Sequence, residues 1–89
     1  MARFEIQSYE TAGLAQGVAT GDMLFRLGMM YATGRTVEPN LVDAHKWFNI
    51  AALKGYADAV RYRQEIAREM SQADIAEAQR AAREWLNLH

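Results

Sequence analysis

The chain has 89 residues, 51% of them apolar and 24% charged, with a formal net charge of −1. That balance belongs to one folded globular domain whose modest core buries roughly 60–65% of the unfolded surface. Near-neutrality gives no general attraction for phosphate backbones, and the absence of cysteine excludes disulfides, thiolate catalysis and cysteine-based zinc sites.

No apolar run approaches the ~20 residues of a membrane span. The start, MARFEIQSYE, carries acidic residues where a signal peptide needs its apolar stretch. A cytoplasmic protein without nucleic acid as its partner is the expectation. Alanine, leucine, methionine, glutamine, glutamate and arginine dominate, and no alternating run of strand length occurs, so the fold class is all-α.

In chain order, Phe4, Ile6, Tyr9, Ala12, Leu14 and Val18 outline a first helix from about Arg3 to Ala19, weakened by Gly13 and Gly17. A second helix runs from about Asp22 to Thr33, with Leu24, Leu27 and Tyr31 at helical spacing and Phe25 and Gly28 on an adjacent stripe. Gly34 suits a left-handed cap at its end. Arg35 to Pro39 form a turn, with Val37 as its apolar anchor. Asn40 then caps a third helix, with Asp43 in its first turn. Leu41, Ala44, Phe48, Ala51 and Ala52 form the inward face of this helix, Trp47 lies beside it, and Gly55 closes it. A fourth helix covers about Tyr56 to Met70, with apolar points at Ala59, Val60, Tyr62, Ile66 and Met70. Ser71 and Asp74 read as a capping box for a fifth helix, Gln72 to about Leu88, whose seam is Ile75, Ala78, Ala82 and Leu86 with Trp85 alongside. The short connections suggest antiparallel neighbours. Gly28, Ala44, Ala51 and Ala52 are small enough to let two helix backbones approach closely, while Tyr31, Trp47 and Phe48 fill the volume around them.

Between Leu27 and Gly55 these residues compose L-G-x-x-Y-x-x-G, a turn, and A-x-x-W-F-x-x-A-A-x-x-G. The pattern resembles the Sel-one-like repeat family, relatives of the tetratricopeptide repeats. Leu27, Gly28, Tyr31, Gly34, Val37, Ala44, Trp47, Phe48, Ala51, Ala52 and Gly55 are the matching, repeat-packing positions. Ala59 looks like the start of a second unit, and the final segment resembles the closing helix of many bacterial members. The resemblance implies a short α-solenoid of antiparallel helix-turn-helix repeats in a single domain spanning 1–89. Its parts are an N-terminal helix or cap (1–21), a complete repeat (22–55), a half repeat (56–70) and a C-terminal capping helix (71–89). Gly21-Asp22 lies closer to Leu27-Gly28 than the family's usual Gly-Asp start, which predicts an irregular beginning for that helix. Solenoids usually need about three repeats to bury a continuous core, so the N-terminal segment or another chain has to act as a neighbour.

Chemistry-bearing residues are sparse. His45, among Asp43 and Lys46, lacks a second histidine at helical ligand spacing and reads as solvent-facing or packed near the helix cap. Ser71 reads as a cap, and the glycines do not compose a phosphate loop. Acidic and basic residues interleave from Asp58 to Glu84 as on solvated helix faces. No nucleophile–base pair, metal set or cofactor motif is visible, and no basic recognition helix is present. The expectation is a protein that is not an enzyme and takes no cofactor.

Met23, Met29 and Met30 with Phe25 and Tyr31 are too many large residues for one inward face. Two readings stand: they pad the core or contact the N-terminal helix, or they form an exposed patch of the adaptable kind methionine supplies. By resemblance the first helix of each hairpin lines the concave face, which makes Arg26, Met29, Met30 and Thr33 the candidate partner-binding positions. The function expected is a non-catalytic protein–protein interaction module, an adaptor or regulatory subunit receiving a helix or extended peptide of another protein. The alternative is a self-associating structural subunit, a homodimer or an accessory piece of a larger complex that uses exposed solenoid ends.

Overall fold

The computed structural model describes residues 19–89. Among them are four α-helices and no strand: α1 (Gly21–Thr33), α2 (Leu41–Leu53), α3 (Asp58–Ala67) and α4 (Gln72–Leu88). The helix expected over Arg3 to Ala19 lies outside the described residues except for Ala19, which is not helical.

Each helix begins and ends for a local reason. The side chains of Thr20, Asn40 and Ser71 accept the backbone N–H groups of Met23 (3.2 Å), Asp43 (3.0 Å) and Asp74 (3.0 Å), satisfying donors left free in the first turns of α1, α2 and α4. The irregular start expected for α1 is therefore replaced by an ordinary side-chain cap from Thr20. At its far end Gly34 adopts φ 72° and donates its N–H to the Met30 carbonyl at 3.0 Å, a left-handed cap. At the end of α2, Tyr56 N–H reaches the Ala51 carbonyl and Gly55 N–H the Ala52 carbonyl, both at 3.0 Å, with Gly55 at φ 97°. This pair of bonds is the Schellman arrangement.

The fourth segment is shorter than the expected Tyr56 to Met70. At both ends of α3 the bonds tighten: Ala59 N–H to Tyr56 and Val60 N–H to Ala57 at the start, Arg68, Glu69 and Met70 N–H to the carbonyls three residues back at the end. Ala57 supplies no side-chain cap. Without a cap the helix gives way to such three-residue turns.

Packing is organised around α2, which lies against α1, α3 and α4. Gly21 neighbours Ala51 and Tyr56, Gly28 neighbours Phe48, and Gly34 neighbours Pro39, so α1 and α2 run antiparallel. A Cβ at Gly28 would stand 2.5 Å from two carbons of the Phe48 ring; only glycine permits this crossing. The core comprises Leu24, Leu27, Ala44, Trp47, Phe48, Ile50, Ala51, Ala59, Ala82 and Trp85. Trp47 meets Trp85 edge-on with centroids 5.7 Å apart, and Phe25 stacks on Tyr56 at 4.5 Å while presenting an edge to Tyr62 at 5.1 Å. Such pairs add about 0.5–1.5 kcal/mol each beyond area burial.

Two residues of α2 depart from expectation. His45, expected at the surface or cap, is buried at 3% exposure, and Ile50, assigned to no inward face, is fully buried. Trp47, expected to fill volume beside the inward stripe, is buried in the core. The physical reason is common to both departures: a helix with neighbours on several sides has no single inward stripe. Ala52, by contrast, is only half-buried, and Gly55 is exposed.

Candidate functional site

Leu24, Leu27 and Gly28 turn one side of α1 into the core. The helical period then leaves Arg26, Met29, Met30 and Thr33, at positions i, i+3, i+4 and i+7, along another strip. With Arg35 from the following turn, these residues line an open depression of about 290 Å³.

The two methionines are half-buried and pack against the hydrophobic core. They also border the depression, so the two readings of the cluster meet in the same side chains. Phe25 and Tyr31 belong to the packing beside the core. Met23 is half-buried and does not line the depression.

Local bonds position the edge. Thr33 Oγ1 donates to the Met29 carbonyl at 2.8 Å and accepts the Arg35 N–H at 3.3 Å. The hydroxyl thus ties the first residue beyond the Gly34 cap back to the helix and brings Arg35 beside the methionines. Asn40 N–H donates to the Tyr31 carbonyl at 3.0 Å, closing the turn from its other end. Between them Thr36 sits at φ 71°, a left-handed conformation that a β-branched residue adopts at a cost of order 1–2 kcal/mol; its hydroxyl donates to the Arg35 carbonyl. Arg35 was expected in the turn but was not among the candidate binding positions. Its signal is its position directly after a left-handed cap, which turns the chain back over the helix end.

Arg26 lies 3.2 Å from Asp22, one turn earlier, with both side chains more than half exposed. An exposed pair of this kind contributes only a few tenths of a kcal/mol. Among the described residues no ion pair engages Arg35. Among the described residues the lining contains two guanidinium groups and no carboxylate.

The remaining polar feature of the interior is His45. Burial, and secondarily the charge of Arg63, hold its pKa below the usual histidine value, opposed by an interaction with its own backbone. Its Nδ1 makes no well-formed hydrogen bond among the described residues, and neither does the indole Nε1 of Trp85. Arg63 itself donates to Asn49 Oδ1, one turn beyond His45, at 2.6 Å.

No helix among the described residues is long and apolar enough to cross a membrane. Comparison with protein-family models, curated proteins and solved structures gives no match to this chain.

Proposed function

We propose that the protein is a non-catalytic interaction module, an adaptor or regulatory subunit that receives a segment of a partner protein on the outer face of α1. The α1–α2 hairpin is read as one complete repeat of the Sel-one-like type, with α3 as a half repeat and α4 as the closing helix. The antiparallel hairpin, the crossing at Gly28 and Phe48 and the cap at Gly34 support that reading.

The observation that carries the functional proposal is the convergence of Arg26, Met29, Met30, Thr33 and Arg35 on one depression. Its volume, about 290 Å³, lies at the small end of pockets for whole small molecules, roughly 300–1,000 Å³. It suits the anchoring side chains of a peptide. Methionine surfaces adjust to differently shaped apolar anchors, because the side chain is unbranched and polarizable. Half-buried stems fix the floor while the exposed parts adapt.

The test is affinity purification of the tagged chain from its native cell, with Met29→Ala/Met30→Ala in parallel and circular dichroism showing that both proteins are folded. The proposal expects a specific partner that the double variant loses. Equal recovery of every partner by the folded variant would refute the α1 groove as the binding site.

A further inference from the structure

We infer that the occupant of this groove is an acidic amphipathic helix of a partner protein, one that places a large apolar residue over Met29 and Met30 and a carboxylate toward each of Arg26 and Arg35. The inference rests on the groove reading above and adds the chemistry of the partner.

Charge complementarity carries it. The chain as a whole is net negative, yet among the described residues the groove lining holds two arginines and no acid. Arg26 stands one helical turn before the methionines and Arg35 just past the helix end, so the cations bracket the apolar floor along the axis. Arg26 has a weak, exposed partner in Asp22 that an incoming carboxylate can replace at little cost. Arg35 is held in position through Thr33 and a strained turn while no described carboxylate pairs with it. A guanidinium presents a planar fork that matches a carboxylate and remains charged at any physiological pH.

Spacing then selects the form of the partner. Arg26 to Thr33 covers about 10.5 Å along α1 at 1.5 Å per residue, and Arg35, whose N–H reaches Thr33 Oγ1 at 3.3 Å, stands at that end of the strip. A second helix offers the same separation between positions i and i+7, with i+3 and i+4 between them facing the same side. A helix with acids at i and i+7 and leucine, methionine or phenylalanine at i+3 and i+4 therefore mirrors the groove. Two isolated cations with no aromatic stacking surface between them do not make a nucleic-acid site.

The experiment uses the full-length chain and fluorescein-labelled helical 15-residue peptides, read by anisotropy at about 50 mM and 500 mM salt. The probe carries Glu at positions 4 and 11 and Leu at 7 and 8. One companion replaces both Glu by Lys, and another replaces both Leu by Ala. Saturable binding of the Glu/Leu probe is expected, weakened roughly 2- to 5-fold by Arg35→Glu at low salt and much less affected at high salt. Arg35→Glu should also favour the Lys companion. Arg35 is exposed, so this variant retains the fold, and a thermal melt checks it.

If Glu and Lys peptides bind equally and both are lost with Met29→Ala/Met30→Ala, the acidic partner is ruled out while the groove survives. A failure of the probe to bind, alongside a native partner that still depends on the methionines, likewise rules out the acidic helix and keeps the groove. Loss of methionine dependence in both experiments removes groove and partner together.

Discussion

Protonating His45 would place a charge in a nearly closed position beside Arg63. Because its folded pKa lies below the usual value of about 6.5, the unfolded chain binds the extra proton first as pH falls. Stability contributed by neutral His45 is thus present above about pH 6.5 and declines below it, until the lower folded pKa is reached. Urea unfolding between pH 7 and pH 5 should show a loss of at most about 1.4 kcal/mol per pH unit from this residue, and His45→Phe should flatten that part of the profile. An unchanged slope in a folded His45→Phe protein would assign the pH dependence to other groups. At Thr36 the relevant quantity is backbone strain. Asn tolerates a positive φ better than a β-branched residue, so Thr36→Asn should raise unfolding stability by up to about 1 kcal/mol. If Thr36→Asn is clearly less stable, the left-handed conformation is wrong for this position. Neither feature was legible in the sequence: a histidine with no ligand spacing reads as a surface residue, and a threonine in a turn gives no sign of its φ.

At the scale of elements, the α1–α2 contact depends on what glycine omits. Ala is the better helix former by about 1 kcal/mol, but at position 28 its methyl group would overlap the fully buried Phe48 ring. Overpacking of this kind costs about 1–3 kcal/mol, so Gly28→Ala should lower the urea midpoint despite its propensity, and Phe48→Leu in the same chain should show favourable coupling. Gly34→Ala meets a second obstacle, since its Cβ would stand 2.7 Å from Pro39 Cγ and its φ of 72° disfavours any L side chain. A loss of about 1–2 kcal/mol or more is expected, again from urea unfolding. These positions were readable because a gap in side-chain size and a left-handed cap leave direct marks on sequence: Gly28 at helical spacing from Leu24, and Gly34 before Pro39 and the Asn40 cap. The starts of α2 and α4 were readable from the Asn40 and Ser71 caps. The burial of His45 and Ile50 was not. A single stripe of apolar positions describes a helix packed on one side, and α2 is packed against three neighbours; its clue is apolar residues around most of the circumference, from Ala44 and Trp47 to Ile50.

For the whole molecule, the adaptor reading predicts that the isolated chain sediments as a monomer independent of concentration. A concentration-dependent dimer would instead support the self-associating alternative, for which exposed Leu53 and Leu88 are the first residues to replace. Four residues lining the depression, Arg26, Met29, Met30 and Thr33, were reached through the family resemblance, which sets the first helix of a hairpin on the concave face; the excess of large side chains on α1 pointed only to the methionines. The fifth, Arg35, comes from the path of the turn, which depends on bonds from Thr33 and Asn40 that residue spacing does not reveal. Methionine methyl groups report directly where a partner touches the protein. In carbon-13 methyl-methionine NMR of the full-length chain, titration with the Glu/Leu probe should shift Met29 and Met30 in proportion to occupancy while Met70, just beyond α3, stays in place. Perturbation of Met70 with Met29 and Met30 unmoved would contradict binding at α1 and direct the search for the binding surface to the turn between α3 and α4.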